Sequence, residues 1–276
     1  MRASSSAPRA RARDVDADAI AVIELAHART SNALDRDGFE ALKRACETIE
    51  SNRIARCVVV RGAGGNFSSG LDLSTANAIL DARTADGCAG RANEALMRTI
   101  EAMQAGVSAL ERMSAPSIAC VSGVCFGGGV DVITACDVRI ASEDARFCVK
   151  EVDLGLAADL GTLQRLPTIV GHGRAMDLAL TARTIDAREA LAIGLVTEVV
   201  ADVDARGMEL ARELAKKSPL ALRGTKRVLL RARDDPNVAK GLDYVAAHNA
   251  AMLRSDDLSE ALRARAERRP PVFSKL

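Results

Sequence analysis

The reading of the chain turns on Val124-Cys125-Phe126-Gly127-Gly128-Gly129-Val130-Asp131, which follows the apolar run Ser117-Ile118-Ala119-Cys120-Val121. The run has the length and composition of a buried strand and Val130 to Cys136 reads as a helix, so the glycine triplet is a strand-to-helix turn. Three glycines in succession let backbone approach a ligand closely and leave N–H groups free at the start of a helix. Such donors suit a phosphate or a developing oxyanion. The spacing fits neither G-x-G-x-x-G nor Gly-Lys-Ser, which favours a carbonyl oxygen over a nucleotide phosphate. A tight turn with no ligand is the plainer alternative.

Upstream, a second glycine-rich turn follows a second buried strand. Cys57-Val58-Val59-Val60 ends in Arg61-Gly62-Ala63-Gly64-Gly65 and continues as Asn66-Phe67-Ser68-Ser69-Gly70-Leu71-Asp72-Leu73, small residues that would let a ligand lie along the backbone. Ala19 to Leu25 reads as a first strand, and Phe39, Leu42, Cys46 and Ile49 mark one face of a helix over Leu34 to Ile49. Residues 75 to 95 are small, polar and weakly patterned, as a flap or long loop would be. Leu96, Ile100, Met103, Val107 and Leu110 then form the core stripe of a long helix. Strand, helix, strand, helix, strand is an α/β pattern, and the near-continuous apolar strands imply a sheet covered on both faces.

Beyond Asp159 the pattern becomes helical: Arg174 to Ala182, Asp186 to Ile193, Asp202 to Lys217, Leu220 to Ala232, Val238 to Leu253 and Leu258 to Glu267, with a single strand at Leu195 to Val200. The expected organisation is a disordered tail over residues 1–16, an α/β core over 17–200 and a helical region over 201–276 that serves oligomerisation.

With 38 Lys and Arg against 37 Asp and Glu, the net charge of +1 provides no global basic field for nucleic acid. The only aromatic residues are Tyr244 and five Phe, too few for base-stacking platforms. No apolar run reaches the roughly 20 residues that a spanning helix needs. Seven cysteines without a C-x-x-C pair read as small buried hydrophobes in a reducing compartment, and His27, His172 and His248 stand too far apart for a metal site. The terminal Ser274-Lys275-Leu276 matches the peroxisomal address read by an import receptor. Met1 to Arg13, with four Arg, three Ser and no acid, is a weaker match to a mitochondrial presequence.

Three acids lie in apolar or glycine-rich surroundings: Asp131, Glu151 in Phe147-Cys148-Val149-Lys150-Glu151-Val152, and Asp159 in Leu156-Ala157-Ala158-Asp159-Leu160-Gly161. Burial raises a carboxyl group's proton affinity and a neighbouring carboxylate raises it further, so one can accept a proton while another donates. Taken singly, each reads more readily as a cap or an ion-pair partner than as a catalytic group.

With these segments in view, the chain from about Ala19 to its end resembles the crotonase superfamily, the enoyl-CoA hydratase/isomerase family. The resemblance is carried by Asn66 to Leu73, by Gly123 to Asp131 and by Gly155 to Pro167 with its Thr162-Leu163-Gln164-Arg165-Leu166-Pro167. It implies a spiral of β-β-α turns, homotrimers or hexamers built as dimers of trimers, a coenzyme A thioester as ligand and no metal or redox cofactor. Gly128 to Asp131 and Lys150 to Asp159 are most similar to the Δ3,5-Δ2,4-dienoyl-CoA isomerase subgroup. Carried over by position, the Leu71 and Gly128 N–H groups would form the oxyanion hole, Glu151 would take the C2 proton and Asp159 would serve C6. Ser68, Ser69, Gly70, Asp72 and Leu73 would lie along the coenzyme A. Asp131 stands where hydratases carry a glutamate, and Asp159 where they carry glycine, which favours isomerisation over hydration. Where many members read Asn-Arg-Pro, this chain has Ala26-His27-Ala28-Arg29-Thr30-Ser31-Asn32.

The resemblance therefore implies double-bond transposition in fatty-acid β-oxidation, in a peroxisome or glycosome-type organelle. An enoyl-CoA hydratase, a Δ3-Δ2 isomerase using Glu151 alone, and a non-catalytic acyl-CoA-binding or RNA-associated member of the fold are the alternatives. The three acids and the lack of a basic stripe count against the last.

Overall fold

The computed structural model of the protein describes residues 9–13, 15–80 and 87–274. A six-stranded sheet is made from β1 (Ala10–Arg13), β2 (Ile20–Leu25), β3 (Cys57–Gly62), β4 (Ser117–Val121), β6 (Val138–Ser142) and β9 (Glu198–Val200), in that order across the sheet. All neighbours are parallel except β1 and β2. A smaller sheet holds β5 (Val124–Phe126), β7 (Arg146–Cys148) and β8 (Ile185–Asp186).

The chain steps from the large sheet to the small one and on to a helix. Thus β4 leads through Ser122-Gly123 to β5 and then to α4 (Gly128–Thr134), and β6 leads to β7 and a short 3-10 turn at Glu151–Leu154. β3 does the same, because Ser68 bridges to Cys125 beside β5 before α2 (Leu73–Leu80) begins. These repeated β-β-α turns are the spiral that the family resemblance implies. Gly123, at φ 53°, permits the tight exit from β4, since a Cβ there would strike Gly65 and Asn66.

One face of the large sheet is covered by α1 (Arg36–Asn52) and α3 (Ala89–Arg112). Asp35 caps α1 by accepting from the Gly38 N–H at 2.7 Å, and Phe39, Leu42, Cys46 and Ile49 are buried, as the spacing predicts. On α3, Met103, Val107 and Leu110 are buried and Ile100 packs at the core's edge. The other face carries α8 (Val203–Ala215), where Gly207 lets the helix lie directly on Cys120. Ile20, Cys57, Val59, Ile118 and Ile140 bury against its Val203 and Ala211. After α5 (Thr162–Val170), α6 (His172–Thr181) and α7 (Ala187–Ala192), the chain closes with α9 (Pro219–Asp234), α10 (Val238–Met252) and α11 (Asp256–Ala266). No helix among the described residues is long and apolar enough to cross a membrane.

Four expectations need correction. Ala10–Arg13, assigned to a disordered tail, is an edge strand paired antiparallel to β2. Within the stretch expected to be a flap or loop over residues 75 to 95, α2 continues to Leu80 and α3 starts at Ala89; residues 81–86 lie outside the described residues. Thr162–Val170, ahead of the first helix expected beyond Asp159, is itself a helix, and it runs through Pro167 at the loss of one backbone hydrogen bond. Gly127 alone precedes α4, while Gly128 and Gly129 form its first turn.

Candidate active site

The two glycine turns meet. Gly70, at φ 94°, packs so closely on the second turn that a Cβ there would stand 2.8 Å from the Phe126 carbonyl oxygen and 3.1 Å from the Gly128 nitrogen. A Cβ at Gly129 would stand 2.9 Å from the Ser68 carbonyl oxygen. Leu71 is held by a parallel bridge to Leu34, in which the Leu34 N–H donates to the Gly70 carbonyl and the Asp72 N–H to the Leu34 carbonyl, each at 2.8 Å. That pairing turns the Leu71 N–H away from Leu34. Neither the Leu71 nor the Gly128 N–H enters the turn, loop and cap network of the backbone, so two donors lie next to each other, free for a ligand oxygen.

Glu151 begins the 3-10 turn after β7, and its carboxyl group lies against the Gly127–Gly128 turn: Oε1 is 3.3 Å from where a Gly127 Cβ would be. The residue is only 8% exposed and Oε2 has no hydrogen-bond partner. Burial, then the charge of Asp131, push this carboxyl up from the ordinary 4.5 to about 7, and Asp159 adds to the shift. Asp131, on α4, is 1% exposed and accepts from the Thr162 N–H at 2.6 Å. Burial lifts it to about 6 against that hydrogen bond, with Asp159 again contributing. Asp159, half-buried before α5, is raised by burial, and its carbonyl is fixed by the Gln104 amide at 2.7 Å. The structure thus gathers all three predicted acids into one electrostatic cluster beside two free N–H donors. That combination can remove a proton next to a carbonyl and return one elsewhere.

The loop expected to lie along a coenzyme is itself tightly braced. Ser68 is buried, its hydroxyl donating to the Asn32 carbonyl at 2.9 Å and accepting from the Gly70 N–H at 3.1 Å. The Ser69 hydroxyl donates to the Thr30 carbonyl at 2.8 Å. Asp72 binds Ser74 and Arg9, and those hydrogen bonds, Ser74's first, hold its carboxyl down to about 2. The side chains of Ser68 and Asp72 are therefore occupied within the chain, while Leu73 is exposed.

Sequence reasoning missed Asn32 and Arg165. Asn32, buried at φ 58°, donates to the Ala63 and Asn66 carbonyls at 2.8 and 2.7 Å and accepts from the His27 N–H at 2.8 Å, tying the first loop to both halves of the Gly62–Asn66 turn. Only its tolerance of positive φ was visible in sequence. Arg165 lies across Gly161 and pairs with Glu111 at 3.0 Å, which Arg233 also meets at 2.5 Å. Burial opposes the Glu111 charge, but the two guanidinium groups outweigh it and keep its carboxyl low. Arg165 thereby anchors the start of α5, where Thr162 meets Asp131. Among the described residues no cluster of metal-ligating side chains occurs.

The family model for enoyl-CoA hydratase/isomerase matches residues 16–275. The chain is 48% identical over 248 residues to the peroxisomal Δ3,5-Δ2,4-dienoyl-CoA isomerase of Arabidopsis thaliana, covering 89% of each chain. It is 40% identical over 262 residues to the mitochondrial isomerase of that name from Homo sapiens, covering 92% of this chain and 79% of that one. Among solved structures, a Thermobifida fusca YX protein described as a candidate enoyl-CoA hydratase, in complex with CoA, superposes with a TM-score of 0.78 at 35% identity, over 89% of this chain and 93% of that one. With its spiral of β-β-α turns and a matched span of nearly the whole chain, the protein belongs to the enoyl-CoA hydratase/isomerase family.

Proposed function

We propose that the protein isomerises 3,5-dienoyl-CoA to 2,4-dienoyl-CoA. The observation that carries the reading is the buried Glu151 carboxyl group, whose Oε2 has no hydrogen-bond partner, set against the turn that presents the Gly128 N–H and accompanied by two further acids of raised pKa. The subgroup named by the Arabidopsis and human relatives supports it. In this mechanism the Leu71 and Gly128 N–H groups receive the thioester oxygen, each donor contributing roughly 3–4 kcal/mol to the enolate-like transition state. Glu151 removes the C2 proton. The negative charge spreads along the conjugated chain to C6, where Asp159 delivers a proton, moving both double bonds. Asp131 stays buried behind them and raises the proton affinity of Glu151.

Coenzyme A is a portion of the substrate here, and the chemistry calls on no metal or redox group. The CoA bound by the Thermobifida relative supports the thioester as ligand. A trimer or hexamer fits the exposed Leu229, Val238, Leu242 and Leu262 of the last three helices. The Arabidopsis relative's designation and Ser274-Lys275-Leu276 support the peroxisome and an import receptor as partner, whereas the human relative is designated mitochondrial. Lys275 and Leu276 lie outside the described residues.

The test is the ultraviolet absorbance of 3,5-octadienoyl-CoA mixed with wild type, Glu151→Gln and Asp159→Asn. Growth of a 2,4-dienoyl-thioester band, reduced about 10²-fold or more in both variants, is the expected result. Fast hydration of a 2-enoyl-CoA by wild type with no such band would replace the isomerase reading with a hydratase one.

A further inference from the structure

We propose that Arg9 is a positioning residue for the oxyanion site: its guanidinium group joins the carboxylates of Asp35 and Asp72 and so sets the direction of the Leu71 N–H. The inference rests on the reading of Leu71 and Gly128 as the donors to the thioester oxygen. Leu34 and Leu71 form a parallel bridge, and each is followed at once by an aspartate that opens a helix: Asp35 accepts from the Gly38 N–H at 2.7 Å and Asp72 from the Ser74 N–H at 2.9 Å. The two carboxylates therefore stand side by side at the ends of paired segments, where their like charges would push the segments apart. Arg9 prevents this. Its Nε meets Asp35 Oδ2 at 2.8 Å, and its Nη1 meets Asp72 Oδ2 at 2.7 Å and the Ala33 carbonyl at 3.0 Å.

One planar, forked cation thus fixes three acceptors, and the pairs are mostly shielded, with side-chain exposures of 20% for Arg9, 24% for Asp35 and 14% for Asp72. The bracket can act on the donor only through the backbone, since Asp72 directly follows Leu71 and its N–H fixes the bridge. Arg9 reaches the site because it immediately precedes β1, whose pairing with β2 brings residue 9 over Gly38 at the start of α1. The N-terminal segment from Arg9 on is therefore working structure for the site, not an appendage to it.

The test compares two ligands in wild type and in Arg9→Met: a 2,4-dienoyl-CoA and the same molecule with its thioester carbonyl reduced to a methylene, which offers nothing to the N–H donors. Wild type is expected to prefer the thioester by about 10-fold or more. In Arg9→Met that preference should fall towards 1 with the thioether affinity unchanged, and kcat should drop about 10- to 100-fold, the range for a small misplacement of a catalytic group. Arg9→Lys keeps the charge but not the fork and should lie between. If wild type shows no preference, the oxyanion reading itself fails. If wild type prefers the thioester and Arg9→Met retains both that preference and kcat, the positioning role is overturned while the reading stands. A kcat loss that tracks only the unfolded fraction, with the preference intact, overturns it equally. Should Arg9→Met not fold, the ratio measured on Arg9→Lys is judged by the same rule.

Discussion

Glu151→Gln is expected to raise stability at pH 8 while abolishing the base. Burial and then the Asp131 charge lift the Glu151 carboxyl from 4.5 to about 7, so the folded chain holds that proton more tightly than the unfolded chain does. Below about pH 4.5 the group is protonated in both states and the fold loses nothing. As pH rises from 4.5 to 7 the folded state increasingly carries a charge it disfavours, and above 7 the whole penalty is present. The gap corresponds to roughly 3 kcal/mol at about 1.4 kcal/mol per pH unit. Glutamine removes the charge, but its amide must find a partner where Glu151 Oε2 has none, which returns about 1–2 kcal/mol. The net expectation is a gain on the order of 1–2 kcal/mol at pH 8, or several degrees in Tm, shrinking to zero or reversing near pH 4.5. Thermal unfolding of both proteins at fixed concentration across pH 4.5 to 8 measures this, the fixed concentration removing assembly effects. A variant-minus-wild-type Tm that does not change with pH, or that falls towards pH 8, refutes the argument that Glu151 is held charged against its surroundings.

Asp131→Asn removes the second-largest contribution to the raised Glu151 pKa while its side-chain oxygen can still accept from the Thr162 N–H, so the acid limb of the kcat/KM profile should move to lower pH; an unmoved limb would sink the electrostatic role. Gly70→Ala must hold φ near 94° with a Cβ 2.8 Å from the Phe126 oxygen, and should lower kcat by about 10²-fold through displacement of the Leu71 donor, with a urea midpoint shift recorded alongside. Glu111→Ala leaves the buried Arg165 without its carboxylate and should destabilise by about 3–5 kcal/mol in urea unfolding; a loss under 1 kcal/mol would show that the pair with Arg165 matters little. In D2O, early 2,4-dienoyl product should carry deuterium at C6, detected by mass spectrometry, because a half-buried Asp159 exchanges its proton with solvent; transfer of the substrate's own C2 proton to C6 would instead indicate one residue serving both carbons.

The architecture was legible where sequence carried strong local signals. Cys57–Val60 and Ile118–Val121 are runs without polar residues, which a doubly covered strand accommodates, and the 3–4 spacing of Phe39, Leu42, Cys46 and Ile49 marks α1. β1 was not legible, because Ala10 to Arg13 alternates Ala with Arg and shares its composition with the residues before it; its pairing depends on the open edge of β2. The acids were legible as charged residues in apolar context, but their shared field was not, since Asp131 and Asp159 come together only when α4 meets α5. Arg9 and Asn32 were invisible for the same reason: their value lies in partners 24 to 63 positions away.

The three acids also have a proton-counting consequence. On the proposed mechanism, each forward turnover leaves a proton on Glu151 and removes one from Asp159, so the site must exchange these two states before it can act again. A cluster with all three carboxylates ionised could not donate, and one fully protonated could not accept. The competent state has Glu151 ionised and Asp159 protonated; burial raises the proton affinity of all three acids, to about 6 at Asp131 and about 7 at Glu151, and the charge of Asp131 adds to it at Glu151. Asp131 fits this role rather than that of a direct participant. It is the most buried of the three and is fixed by the Thr162 N–H, so its charge bears on the others without needing to move. Asp159, the most open, is the natural door to solvent. The gradient of burial from Asp131 through Glu151 to Asp159 therefore orders the site from fixed field, to base, to exchanging acid.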